Sequence, residues 1–342
     1  MVLSSLACEQ APDAAFLWRN GEIIPWGEAL VHVRAVGHAS VSAVFEGIKA
    51  YWNSDDGQLY VFRLREHLKR LVDSLKIARL STCFSVDDLV QATLELLRAN
   101  QARQDTYIRP WSFIKGIVYE QIAPAGAPTE TVIETWPFRS QMLQERGCRV
   151  CVTSWTRIGD NVMPPRVKAF SNYHNSRLAA MEAVASGYDW PVFLNDQYKV
   201  AEGPGACVAL VRNGAVITPE ISSGLLESIT RDTLLSLLRD RLGLPVFERE
   251  VERTELYLAD ELFFMGTGWE VLPILNVDGL PVGSGTMGPI TQDLDRAYHD
   301  LVRGMDGSYP KWRTPVWDSA GRASATEESG AELVAHGVQG VR

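Results

Sequence analysis

A basic surplus, a long apolar run and a second cysteine pair are all missing from this 342-residue chain, and each absence excludes a class of function. Lysine and arginine number 33 against 42 aspartates and glutamates, a net charge of −9. No Lys/Arg stripe rises above that acidic background, so nothing marks a nucleic-acid partner. A bound phosphate would need a local cup instead. No apolar run approaches the roughly 18 residues that a membrane span requires. The first residues, MVLSSLACEQAPDAA, carry no basic stretch ahead of a full apolar one, so they do not read as a signal peptide. The five cysteines, Cys8, Cys83, Cys148, Cys151 and Cys207, are odd in number and mostly scattered. That usage suits a reducing compartment, and a cytoplasmic location is expected. Cys148 and Cys151 form a C-x-x-C, yet it opens a strand-like run in which residues three apart point to opposite faces. Without a second pair there is no zinc set, and no metal site is expected.

What is present is an α+β order of elements. Short strand-like runs start at Phe16, with Asn20-Gly21 as a hairpin turn between two of them. Two helical patterns follow, at residues 66–79 and from Ser85, whose Ser-Val-Asp-Asp start resembles a capping box. Strand-like runs return at 107–119 and 130–136. The second half mixes strands with helical patterns at 231–242 and 289–303, the latter with Pro at its first turn. The expected organisation is a mobile leader (1–15), a small domain (16–138), a linker (139–147), a large domain (148–310), and a tail from 311 that is disordered after about 318.

One lysine organises the functional reading. Lys168 ends a short run of mixed character and precedes a helical pattern that Gly187 stops. A lysine in a partly dry cleft loses basicity through desolvation and becomes a usable nucleophile or base. Thirty-four positions on, Glu202 enters the Gly/Pro loop Gly203-Pro204-Gly205. Further along, Ile229-Thr230 opens a helix whose first N–H groups and dipole favour an anion. Amine, carboxylate and anion-holding helix start are the parts needed to hold pyridoxal 5'-phosphate. Of the seven lysines, only Lys168 is followed at five residues by a tyrosine and at 34 by such a glutamate. Singly, Lys168 also reads as a surface lysine, Arg63 as a surface charge and Tyr173 as a core aromatic.

Across residues 16–304 the chain carries, in order, VFEGIKAY, FRLREHLKRL, YIRP, KAFSNY, SGYD, VAEGPG, ITRD, LYLADELFFMGTGWEVLPI and GPIT. In these motifs it resembles the class IV, branched-chain-aminotransferase-like enzymes that use pyridoxal phosphate. The resemblance implies fold type IV, with a small α/β domain and a larger domain built on a barrel-like sheet with flanking helices. It also implies a homodimer. By the same resemblance Lys168 is the Schiff-base lysine and proton carrier. Tyr173 bonds the cofactor's 3-oxygen, and Glu202 faces the ring nitrogen. Arg63, Ile229, Thr230 and Thr267 hold the phosphate. Ser40, Phe45, Tyr107, Arg109, Gly268 and Trp269 border the substrate, an L-amino acid, branched-chain or from a specialised pathway, exchanging with a 2-oxo acid such as 2-oxoglutarate.

Several positions depart from the pattern. Ser40 stands where the family carries a phenol, Lys49 where arginine is common and Cys207 where asparagine is common, while Trp269 adds bulk beside Gly268. Three other readings compete. An aminodeoxychorismate-like lyase and a D-amino-acid transaminase share the cofactor. A nucleotide-binding protein is suggested by Gly283-Ser284-Gly285-Thr286-Met287-Gly288, a G-x-G-x-x-G ahead of a helix.

Overall fold

The computed structural model describes residues 14–119, 122–124 and 126–318. Most of the expected leader and the segment after 318 therefore lie outside the described residues. Asn20 and Gly21 take positive φ (47° and 104°), the twist that a two-residue hairpin needs, and join β1 (Phe16–Arg19) to β2 (Glu22–Pro25). A short helix α1 (Val36–Ser42) leads into β3 (Val44–Phe45), β4 (Ile48–Asn53) and β5 (Gln58–Phe62). Helices α2 (Leu64–Ile77) and α3 (Val86–Ala99) intervene before β6 (Thr106–Ile114) and β7 (Thr129–Pro137). The Ser85 capping box forms as expected: its side chain accepts from Asp88 N–H, and the Asp88 carboxylate accepts from Ser85 N–H.

These strands make an antiparallel sheet in the order β5-β4-β6-β7-β1-β2, with β3 added on β6. Alternation along β4 sets the use of its two faces. Ile48 and Ala50 pack with Leu68, Leu71 and Leu75 of α2 and with Leu89 and Leu96 of α3. Each such leucine contributes about 1.5–3 kcal/mol by leaving water. The alternate residues Lys49 and Tyr51 face the second half of the chain, and the functional groups gather on that side.

The second sheet is built from β8 (Cys148–Thr156), β9 (Trp190–Leu194), β10 (Cys207–Arg212), β11 (Ala215–Thr218), β12 (Val246–Glu248), β13 (Glu261–Gly266), β14 (Glu270–Val277) and β15 (Leu280–Pro281). Its order is β12-β11-β10-β13-β14-β8-β9, with β15 on β14. The sheet curls until its edges nearly meet. The strand extension at Val200 donates to the Val251 carbonyl beyond β12 (2.8 Å), and Lys199 bridges to Glu252. That curl is the physical content of the barrel-like expectation. Val208, Leu210, Leu262 and Phe264 point inward with Val150, Val192 and Ile274. Ala209, Val211, Phe263 and Met265 point outward to the flanking helices. Both faces are covered, so β10 and β13 read as continuous apolar runs rather than alternating ones.

Three helices complete this half: α4 (Tyr173–Ala185), α5 (Ile229–Ser236) and α6 (Pro289–Val302). Gly187 supplies the expected stop after α4 at φ 80°. The helix expected at 231–242 starts two residues sooner, at Ile229, and its last turn, Leu237–Arg241, is π-helical before Gly243 stops it at φ 64°.

The tail expected from residue 311 needs correction. A last strand, β16 (Arg313–Pro315), returns to the first sheet and pairs with β5, and Val316 is fully buried beneath it. The apolar residues Trp312, Val316 and Trp317 provide the driving force that a compositional reading of the segment overlooked.

Candidate active site

The two halves meet along the segment that carries Lys168. Phe45 N–H donates to the Lys168 carbonyl (2.9 Å), Val44 bridges Ala169, and Phe170 N–H donates to the Ala43 carbonyl (2.9 Å). Asn172 braces the turn from inside by donating to the carbonyls of Val167 and Pro164. Residues 170–172 form one 3-10 turn before α4 begins at Tyr173. The five-residue spacing therefore brings lysine and tyrosine together: Lys168 Nζ donates to the Tyr173 hydroxyl at 2.7 Å. The same nitrogen lies 4.8 Å from the centre of the Phe45 ring.

The basicity of Lys168 departs from expectation. Burial pushes the amine down, but the Tyr173 oxygen and the Glu46 carboxylate outweigh it and leave Lys168 above the ordinary lysine value. Glu46 was not recognised in the sequence. It is fully buried, with Arg70 forked onto it (2.7 and 2.8 Å) and His67 Nδ1 at 2.8 Å. Burial alone would raise its pKa; Arg70 and His67 reverse the shift and hold it at about 2. The available signal was a polar stripe, His67, Arg70 and Ser74, on the apolar face of α2.

Glu202 is buried on the other side of a cleft lined by Lys168, Tyr173, Glu202, Cys207, Leu226 and Ser228 among others. Its carboxylate accepts from Arg157 Nη2 at 2.5 Å and from Leu226 N–H at 3.4 Å, with Cys207 Sγ at 3.7 Å. Burial raises the acid above its ordinary value, and Arg157 offsets only part of that. Arg157 also escaped the sequence reading, because no motif marks it. Cys207 is wholly buried and its thiol is pushed up to about 12, so it stays protonated beside the carboxylate.

At the other end of the cleft, Ser228 caps α5 by accepting from Arg231 N–H (3.2 Å). Thr230 Oγ1 and Thr267 Oγ1 lie 3.3 Å apart, joining the helix start to the turn after β13. Arg63 arrives from the first sheet. Its Nη1 donates to Thr233 Oγ1 (3.1 Å), the Ile229 carbonyl (3.4 Å) and Asp232 Oδ2 (2.5 Å). An amine, a buried carboxylate and a helix start with two hydroxyls and an arginine fit the aldehyde, ring nitrogen and phosphate of pyridoxal phosphate.

The remaining expected residues divide. Phe45 stacks on Phe170 (centroids 4.2 Å) within the site. Tyr107 stacks on Trp136 (4.8 Å), and its hydroxyl occupies the space above Gly47, where a Cβ would fall 2.0 Å away. Arg109 lies over Trp136 (4.7 Å) and 3.5 Å from Glu134, and its buried Nε has no hydrogen-bond partner among the described residues. Gly268 opens onto free space. Trp269 is half-buried and packs on Trp190 and Phe264 against the inner core of the curled sheet. Ser40 is exposed, because α1 turns Ala39 inward and so turns the next residue outward. Lys49 is buried on Glu270 at 2.7 Å.

Two further motifs lose their functional readings. The anion position at the start of α6 is already filled by the Glu261 carboxylate, which accepts from Ile290 N–H, Thr291 N–H and the Thr291 hydroxyl. A Cβ at Gly288 would strike that side chain, so the glycine serves Glu261 and not a dinucleotide. Cys148 and Cys151 are free thiols that burial pushes up, and Cys148 lies in the inner core.

Comparison with known proteins agrees with this geometry. The family model for amino-transferase class IV matches residues 43–277. A probable branched-chain-amino-acid aminotransferase of Aquifex aeolicus is 39% identical over 303 residues, covering 89% of this chain and 97% of its own. The crystal structure of a Thermobaculum terrenum branched-chain amino acid aminotransferase in its PLP form superposes with a TM-score of 0.86 at 46% identity, covering 90% of this chain and all of its own. That of the Escherichia coli branched-chain amino acid aminotransferase gives 0.83 at 36% identity, with 89% and 100% covered. A match this long, reaching from the FEG motif through the turn that holds Thr267, makes the chain a member of the class IV amino-transferases, a family of pyridoxal-phosphate-dependent enzymes.

Proposed function

We propose that this aminotransferase moves the amino group of a branched-chain L-amino acid to a 2-oxo acid such as 2-oxoglutarate, with Lys168 as the proton carrier. The observation that carries the residue roles is the Lys168–Tyr173 hydrogen bond facing Glu202 across one cleft. When bound, pyridoxal phosphate supplies an aldehyde that takes up the amino group and a ring that accepts the electron pair released at Cα. Lys168 Nζ would serve as the base that takes the proton from the substrate Cα and as the acid that gives it back. Tyr173, which holds that nitrogen at 2.7 Å, would donate to the cofactor's 3-oxygen. Glu202, paired with Arg157 at 2.5 Å, would hold the proton on the ring nitrogen. Arg63, Thr230 and Thr267, with the first N–H groups of α5, would hold the phosphate.

The substrate wall supports the choice of donor. Phe45, Phe170 and Trp136 offer apolar surface to a branched side chain. Arg109 offers a cation to the side-chain carboxylate of glutamate. Burial raises the Glu134 carboxyl, and Arg109, 3.5 Å away, offsets part of that. Relatives at 36–46% identity carry branched-chain names, which supports the same assignment.

A homodimer belongs to the proposal. Leu30, Val33, Val36 and Val41 are 46–79% exposed, with Ile122 (86%) on a neighbouring loop, an apolar face that a second copy would cover. Ser40 sits within that face.

A donor panel with 2-oxoglutarate tests the substrate. Leucine, isoleucine and valine should lead, and a lead by aromatic or D-amino acids would overturn the assignment. Lys168→Ala should abolish transfer and remove the borohydride-fixable cofactor link. Turnover that persists would move the base elsewhere.

A further inference from the structure

The segment at residues 309–317 touches the cofactor site at one point. Trp312 is where it does so, and its partner is Arg63. Arg63 N–H donates to the Trp312 carbonyl at 2.6 Å, and the guanidinium carbon lies 4.6 Å from the centre of the indole ring. Arg63 needs holding. It caps α2 at φ 48°, a left-handed conformation that a non-glycine residue seldom adopts. From that corner its side chain reaches Ile229, Asp232 and Thr233 in the first turns of α5.

Trp312 is itself fixed by two rings. Phe62 meets it edge-on (6.2 Å, 87°), and Tyr309 stacks on it face to face (4.0 Å, 5°). The Tyr309 hydroxyl then donates to Asp240 in the π-helical turn that continues α5 (2.5 Å). Beyond Trp312 the chain is bolted to the first sheet. β16 pairs with β5, Val316 N–H donates to the Leu59 carbonyl (3.0 Å), and Arg98 Nε donates to the Val316 carbonyl (2.7 Å). The segment thus links both ends of α5 to the strand-to-helix corner bearing Arg63.

We propose that residues 309–317 form a strap that positions the phosphate end of the cofactor site, with Trp312 as a positioning residue acting through Arg63. The inference rests on the reading of Arg63 and the start of α5 as the phosphate cup. It predicts a defect selective for phosphate. Loss of the ring removes the face that seats the guanidinium, which Glu66 (3.0 Å), Asp232 and Thr233 then hold without it, while the cleft between Lys168 and Glu202 keeps its lining.

The test is equilibrium titration of the full-length apoenzyme with pyridoxal phosphate and, separately, with pyridoxal, followed by the absorbance of the bound chromophore. Trp312→Ala should weaken pyridoxal phosphate roughly tenfold, the range of a partly desolvated cation–π contact, and leave pyridoxal unchanged. Trp312→Phe should fall between the two, because a smaller ring keeps part of the contact. Arg63→Gln should lose the same selectivity to a greater extent. Equal weakening of both ligands by Trp312→Ala, or of neither, would overturn the strap while Arg63→Gln still upheld the cup. An Arg63→Gln protein with undiminished preference for the phosphorylated ligand would sink the cup reading, and the strap with it.

Discussion

Replacing Glu46 by glutamine removes one charge from a site where all the neighbouring groups are arranged around it. In the native protein both carboxylate oxygens are used, Oε1 by Arg70 Nε and Oε2 by Arg70 Nη2 and His67 Nδ1. A glutamine can present one acceptor to that fork, but its amide N–H groups then face donors. The cost follows from linkage. The folded acid titrates at about 2 against an ordinary 4.5. A depressed acid adds stability above its unfolded pKa and loses it as pH falls through the folded one. The contribution is about 3 kcal/mol at neutral pH, of which about 2 kcal/mol is gone by pH 3. Urea unfolding followed by far-ultraviolet circular dichroism should therefore show Glu46→Gln less stable than the native protein by about 3 kcal/mol at pH 7. The gap should narrow by about 2 kcal/mol at pH 3. A catalytic signature accompanies it. The Glu46 charge is one of the causes holding Lys168 above the ordinary value, so the variant's lysine should titrate lower. A stability gap that does not change with pH, or a glutamine protein as stable as the native one, would refute the account of Glu46 as a paired, ionised acid.

Two other perturbations follow from buried pairs. Arg157→Met removes the counter-charge from Glu202, whose acid burial already raises; the acid limb of the kcat/KM profile should move up by roughly 1–3 pH units, and an unmoved limb would show that Arg157 does not govern Glu202. Lys49→Met takes the nearer counter-charge from wholly buried Glu270 and leaves it Gln141 N–H (3.0 Å) and Arg146 (3.9 Å), so the loss should reach at most roughly 3–5 kcal/mol. The double change Lys49→Met with Glu270→Gln should recover most of that in the same urea assay, and a double variant no better than the single one would count against the pair.

The positions legible in the sequence are those whose partners are near in the chain or whose role is a backbone one. Lys168 and Tyr173 meet because one 3-10 turn and the first residue of a helix separate them. Thr230 could be placed at a helix start because capping is local. Asn20-Gly21 turned as composition required, since positive φ at both positions leaves few alternatives. Strand alternation explained both faces of β10, but only after the curl of the sheet showed that each of them is buried.

The residues that could not be read depend on contacts across the fold. Lys49 finds Glu270 221 positions away, and Arg157 finds Glu202 across 45. Neither arginine nor lysine carries a local mark of its partner, and a buried charge looks like a surface one until the sheets are in place. Trp269 shows what motif alignment leaves open about a side chain's direction. It lies in the turn between β13 and β14, where the period-two rule lapses, so its direction is set by the room between Trp190 and Phe264. The lysine basicity was misjudged for a related reason. Desolvation was foreseeable from a cleft, but its sign was overturned by Tyr173, which is local, acting together with Glu46, which arrives through β3 and is charged only because α2 delivers Arg70 and His67. The amine's state is thus a property of two elements meeting, and Glu46→Gln is the substitution that separates their contributions.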